Sequence, residues 1–396
     1  MKNKTLFILY VALLAAAAPF STDIYLASMP IIQQQFHASS TDIQLTLSLF
    51  FVCFAVGQLF WGALSDKIGR KPVVYVGISL YVIGSVMCIL SQDIHALILA
   101  RVVQGSGACA GIVCAMSMVK DSFEDPSEMA KVLGGMVSVM LLAPMVAPVI
   151  GSRLLTHFSW HSNFYFLAGY GLVVLLATLF VKESYPAAIR KPLPVSHLLS
   201  AYYQQLKFPP FLLASLSAAF MFCIVFCFIS SASFVYINLY HVAAEDFGFY
   251  FALNASALIL GSLTLRFFKD YMTDKIIVIS GLALALSGAA GMWLALHVFP
   301  AHVYAVVIPA FFATYGVGLL FPELTSFALR HVVEYTGLAS SLIGTFRFVF
   351  AAVTGLLVGT AVTHSALPMA GSMIGLGLVT ALFLLFYFKC LKSNAG

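Results

Sequence analysis

The sequence predicts an all-α membrane protein: twelve transmembrane helices in two pseudo-symmetric six-helix bundles, with both termini cytoplasmic. Three observations predict it. First, 61% of the 396 residues are hydrophobic and only 9% are charged, with a mean hydropathy of +1.00. An ordinary soluble domain carries roughly 25% charged residues, and a soluble fold of this size could not cover its surface with so few. That excludes a cytosolic enzyme, a nucleic-acid binder and a disordered chain. Second, the apolar residues come in runs of about 20, the length of a spanning helix, and not in alternating segments of about 10, which excludes a β-barrel. Third, Lys and Arg collect on one side of those runs.

The runs fall at residues 6–29, 44–64, 73–91, 95–118, 131–155, 162–182, 210–237, 246–268, 275–298, 302–328, 336–362 and 367–388, numbered here as spans 1 to 12. The beginning of the chain, Lys2 and Lys4 followed by an apolar run with Ala15 to Ala18, is similar to a secretion signal. The run continues through Tyr25 to Met29, long enough to span, and removing it would break the even span count. It is therefore expected to stay as span 1. With the N-terminus inside, Arg153 is the one cation outside and Arg101 and Arg347 fall within helices. The other seventeen of the 20 Lys and Arg lie on the cytoplasmic side. That asymmetry sets the orientation.

The longest gap between spans divides the chain into residues 1–182, a six-helix bundle, residues 183–208, a cytoplasmic linker, and residues 209–396, a second bundle. The linker holds Arg190, Lys191, Pro192 and Pro194, then a stretch from His197 to Leu206 that reads as an interfacial amphipathic helix. A weak repeat supports the division: Asp66-Lys67 after span 2 is matched by Asp270 and Lys275 after span 8, with Asp270 204 residues beyond Asp66. Two repeated six-helix halves are a transporter architecture. Seven cysteines, six of them inside apolar runs and none in a C-x-x-C pair, are expected to be packing residues, with no disulfide framework and no metal site.

Three motifs carry a resemblance. Gly62-Ala63-Leu64-Ser65-Asp66-Lys67-Ile68-Gly69-Arg70-Lys71, between spans 2 and 3, resembles the G-x-L-a-D-r-x-G-r-k signature of the major facilitator superfamily. Gly62 would allow close helix contact, Asp66 could bond a helix end or an Arg, and Arg70 and Lys71 would anchor the cytoplasmic face. Arg101, Gln104, Gly105 and Ala108 lie on one face of span 4 and resemble the family's R-x-x-q-G-x-g-a motif. Pro144, Pro148 and Gly151 on span 5 resemble, in part, the antiporter motif of drug:proton exchangers, and two prolines four apart are expected to kink the helix and free carbonyls. Asp23-Ile24-Tyr25-Leu26 with Pro30, the segment from Ile229 to Val235 and the segment from Phe247 to Ala255 resemble the Bcr/CflA branch, whose members confer bicyclomycin and chloramphenicol resistance. The resemblance implies an inner-membrane exporter that exchanges protons for small amphipathic molecules.

Four strongly ionisable side chains are expected well inside helices: Asp23, Arg101, Glu323 and Arg347. An acid in hydrocarbon favours its neutral form and is a candidate proton carrier, so Asp23 is the expected coupling group, with Glu323 as a second proton site. An Asp23–Arg101 ion pair is the structural alternative. Arg347 stands where relatives usually carry an uncharged residue such as Gln. It could pair with Glu323 or meet an anionic group on the substrate. Tyr25, Phe234, Tyr236, Tyr315 and Phe346, with Arg101, Gln104 and Arg347, are the expected walls of a substrate cavity. Eight of ten histidines, among them His37, His241 and His364, fall at or near the outer side.

Two other functions fit the sequence: a proton-coupled transporter of an anionic metabolite or siderophore using Arg347 and Glu323, and a non-transporting sensor or scaffold. No catalytic residues and no enzymatic motif such as H-E-x-x-H or G-x-S-x-G are found. The expected working unit is a monomer in the lipid bilayer with a small-molecule substrate, protons as the coupling ion, no other cofactor and no nucleic acid.

Overall fold

A backbone with no water to bond to must close its hydrogen bonds on itself, and helix does so within one segment. The computed structural model describes residues 4–189, 195–330, 332, 336–362 and 365–393, and among them there is no strand. Twelve helices among the described residues are long and apolar enough to cross a membrane: Lys4–Gln35, Ser40–Ile68, Arg70–Leu90, Ile94–Ser122, Pro126–His157, His161–Leu179, Pro209–Leu239, Ala244–Tyr271, Asp274–Val298, Tyr304–Leu329, Gly337–Ala361 and Leu367–Lys392. Each is the span expected at that place.

Most helices outrun their apolar stretch, because a helix continues to its cap and not to the edge of its greasy segment. Span 2 starts four residues before its expected position. There Ser39 accepts from the Asp42 amide at 3.1 Å while the Asp42 carboxylate accepts from the Ser39 amide at 3.3 Å, a reciprocal cap. Asp125 starts span 5 in the same way, accepting from the Ser127 and Glu128 amides.

The chain divides into two compact units, Met1–Pro194 and Val195–Gly396. The helix Val195–Lys207, expected in the linker, belongs to the second unit and packs on spans 7 and 11. In the first unit spans 1, 2 and 3 all pack on span 4, span 1 also on span 5, and span 3 on span 6. The second unit repeats this pattern six spans later: spans 7, 8 and 9 pack on span 10, span 7 also on span 11, and span 9 on span 12.

The repeat is written in glycine. Gly57, Gly77 and Gly84 press spans 2 and 3 against span 4, where an added Cβ would collide with Cys109, Ala110 and Gln104. Gly261, Gly281 and Gly288, each 204 residues later, press spans 8 and 9 against span 10 at Tyr315, Leu320 and Ala313. Small residues let helices approach in a medium where apolar side chains gain nothing by leaving lipid. His37 and His241, also 204 apart, both take positive φ (47° and 53°) in the turn after the first span of each unit. The expectations that rest on Lys2, Arg190, Lys191, Pro192, Pro194 and His364 lie outside the described residues.

Candidate functional site

Span 1 is not one helix. Its first segment ends at Asp23, a short 3-10 turn covers Leu26–Ser28, and helix resumes at Met29–Gln35 with Pro30 in its first turn. The Ser28 amide bonds the Tyr25 carbonyl at 2.9 Å, so the Ile24 carbonyl is left over. Asn163 of span 6 takes it: its Nδ2 donates to the Ile24 carbonyl at 3.0 Å and to Ser28 Oγ at 2.8 Å. Gly151 of span 5 lies directly on that carbonyl, where a Cβ would collide. The break is therefore held from two sides.

Asp23 sits at this break and is 4% exposed. Its one partner among the described residues is Thr22, whose Oγ1 donates to Oδ1 at 2.9 Å and also lies 3.0 Å from the Pro19 carbonyl. No ion pair joins Asp23 to Arg101. Arg101 is fully buried and gives its donors elsewhere: Nη1 to Gln104 Oε1 (2.5 Å) and the Ser21 carbonyl (3.1 Å), Nε to the Thr46 carbonyl (3.4 Å). Its guanidinium carbon lies over Tyr25 and Phe50, 4.8 and 4.4 Å from the ring centres, while Nη2 has no partner among the described residues. Gln104 passes the chain on to Ser85 (2.8 Å), Tyr81 OH lies 3.0 Å from Ser21 Oγ, and Tyr25 OH lies 2.7 Å from Thr46 Oγ1. Tyr25, Arg101 and Gln104 were expected to face a cavity. All three are fully buried inside the first unit, where backbone carbonyls and rings absorb the charge.

At the basic end of this unit, Gly69 takes φ 101°, a conformation that favours glycine, and so stops span 2. Arg70 then bonds Ser65 Oγ (2.6 Å), Asp66 (2.5 Å) and Asp121 of span 4 (2.9 Å), with its guanidinium over the Tyr185 ring. The Glu183 carboxylate accepts from the Arg70 and Lys71 amides, both at 3.0 Å, an anion on a helix N-terminus. Gly62 departs from expectation. A Cβ there would meet only Val113 at 3.8 Å, so close contact is the work of Gly57. Span 5 runs as unbroken helix through Pro144 and Pro148.

The second unit places its expected residues differently. Glu323 is 1% exposed, but it lies near the end of span 10 and pairs with Lys269 (2.5 Å) and Arg330 (3.4 Å), with Arg330 also holding Asp274 at 2.8 Å. The Glu323–Arg347 pair, one of the two arrangements the sequence allows, is not formed. Arg347 instead lies among the rings of Phe222, Phe321 and Phe348, at 4.9, 5.7 and 4.4 Å. Tyr236 is fully buried in the π-helical end of span 7 and Phe234 nearly so, while Tyr315 bonds Thr264 at 2.7 Å and Phe346 lies near Phe350.

The sequence matches the Major Facilitator Superfamily over residues 11–355. The chain belongs to that superfamily. It is 30% identical to the bicyclomycin resistance protein homolog of Haemophilus influenzae over 99% of this chain and 98% of that one. It is 27% identical to the multidrug resistance protein MdtL of Escherichia coli over 82% and 81%. Among solved structures, a bacterial homolog of the human lysosomal transporter Spinster overlays with a TM-score of 0.73 at 14% identity, covering 98% and 97%. The xylose transporter XylE of E. coli overlays at 0.72 with 12% identity, covering 97% and 98%. The protein is thus a multi-pass membrane transporter.

Within this superfamily frame, the first unit gathers Asp23, Tyr25, Arg101, Gln104 and Gly151 around one helix break. Pro144 and Pro148 lie on the span that carries Gly151, and Asp66, Gly69, Arg70 and Lys71 form a separate cluster at the unit's end. Sequence reasoning missed Asn163, Thr22, Ser85, Asp121 and Glu183. An amide two residues into span 6 was the available signal for Asn163.

Proposed function

We propose that this transporter works as a monomer in the bacterial inner membrane, with both termini in the cytoplasm. In this reading it exports small amphipathic compounds in exchange for protons by alternating access. The observation that carries the proposal is Asp23, a buried carboxyl at a helix break with one hydroxyl for company and no cation among the described residues. Thr22 fits both states of that carboxyl. It donates to a carboxylate, or accepts from a carboxylic acid while its own hydrogen turns to the Pro19 carbonyl 3.0 Å away. Asp23 can thus gain and lose a proton with no movement of heavy atoms. The resistance names of the relatives support drug-like cargo.

One charge falling through 100 mV releases about 2.3 kcal/mol, and a tenfold proton gradient adds about 1.4 kcal/mol. Together they sustain a gradient of a few hundred-fold for a neutral cargo per proton. The test is drug accumulation in everted vesicles under an imposed proton gradient, scanned over neutral and acidic amphipathic compounds. Wild type concentrates the drug, and Asp23→Asn exchanges it only downhill. Uphill accumulation by Asp23→Asn refutes the assignment.

A further inference from the structure

We propose that Arg347 and the rings of Phe222, Phe321 and Phe348 form a subsite for an oxyanion, so that the transported compound carries a carboxylate, phosphate or sulfonate beside an apolar body. The inference names the cargo class for the transport reading above and rests on it.

Arg347 is a cation set over three aromatic rings, with no acceptor beside it among the described residues. Its guanidinium lies within 6 Å of three phenylalanine ring centres. Among the described residues no hydrogen-bond acceptor or carboxylate meets it, and its Nε is sealed from solvent without a partner. The acid it might have matched, Glu323, is already held by Lys269 and Arg330. A cation–π contact uses the charge and takes up no N–H donor, so the guanidinium's donors stay available to a ligand. Those donors are the part that matches an oxyanion, two parallel N–H groups to two oxygens. A buried donor left without an acceptor is destabilising, so a purely structural arginine would be expected to spend most of its donors on carbonyls and amides, as Arg101 does with Nε and Nη1 though not Nη2. Phe222 also packs on Phe226 and Phe321, at 5.2 and 5.3 Å between centres. The rings around the cation therefore join a wider aromatic wall, suited to the apolar body of the same ligand.

Depth decides against a lipid headgroup as the anion. Arg347 is ten residues into a 25-residue span, Gly337–Ala361, about 15 Å of helix from its start. A headgroup phosphate stays at the interface. The anion that reaches Arg347 is therefore part of a cargo molecule that enters the protein.

The test uses the purified full-length protein in detergent, with no gradient, and three probes of one shape: 2-naphthoate, 2-naphthyl phosphate and the neutral 2-naphthamide. Wild type is expected to bind at least one anion about tenfold or more tightly than the amide. Which anion wins distinguishes a carboxylate from a phosphate cargo. Arg347→Gln is expected to lose that preference, Arg347→Lys to keep part of it, and Asp23→Asn to keep all of it. Ligand-free Arg347→Gln is also expected to melt higher than wild type, by about 2 °C or more, since it removes an Nε donor sealed from solvent without an acceptor. Failure of every anion to outbind the amide, a preference that survives Arg347→Gln, or a lower melting point for that variant overturns the inference. Because binding is read without a gradient and in Asp23→Asn as well, loss of proton coupling and loss of the anion subsite are scored separately.

Discussion

Arg101 and Arg347 are both guanidiniums stacked on aromatic rings inside a span, yet they are placed in opposite ways. Arg101 donates to Gln104 and to the Ser21 and Thr46 carbonyls, all within the first unit. Arg347 donates to nothing among the described residues of the second. The two units share their helix contacts and their glycine seams, so the difference is not one of scaffold. Backbone-to-backbone approach is repeated between the halves, whereas charge placement is not. A seam depends on where a Cβ is missing and survives a change of neighbours. A buried charge depends on each partner around it.

The largest effect expected from this contrast is at Arg101. Arg101→Met removes the bonds donated to the Ser21 and Thr46 carbonyls and leaves the buried Gln104 oxygen without its cation, and should lower unfolding stability in detergent by roughly 2–4 kcal/mol, whereas removing the Arg347 charge raises it. Equal signs at the two positions would break the contrast. Next come the seams. Gly84→Ala and Gly288→Ala each push a methyl into a facing backbone and should each cost about 1–3 kcal/mol. Equal melting-point losses sharpen the repeat, and a large inequality breaks it. Glu323→Gln removes a carboxylate whose cationic partners are half-exposed and hydrate readily, so about 1 kcal/mol is expected. Gradient-driven transport should persist in that variant, and its loss would restore Glu323 as a second proton site. The smallest effect is Gly62→Ala, within about 0.5 kcal/mol, read as an unchanged melting point.

The spans were legible because hydropathy reports the one thing lipid demands of a helix, a run of about 20 apolar residues. Their ends were less so, since Ser39 and Asp125 set helix starts by hydrogen bonding several residues outside the greasy stretch. The acid at position 23 was visible as a lone carboxyl in an apolar run. The break beside it was not, because the Ile24 carbonyl is held by Asn163, 139 residues away. The partners of Glu323 were illegible for a related reason. Its neighbours in sequence are apolar, but Lys269 reaches it from the end of span 8. Gly62 misled through its motif: the contact attributed to it falls to Gly57, one and a half turns earlier.

The seat of Gly151 on the Ile24 carbonyl has a mechanical consequence. Span 5 carries two prolines, each of which removes a helix hydrogen bond and eases bending, and it bears on the peptide that follows the acid. Flexing that rod about Pro148 drags the joint beside Asp23 with it, and a stiffer joint resists the flex in return. In the proton-exchange reading proposed above, load and proton would meet at the same hinge, as a strain gauge bonded to a beam reports what the beam is asked to carry.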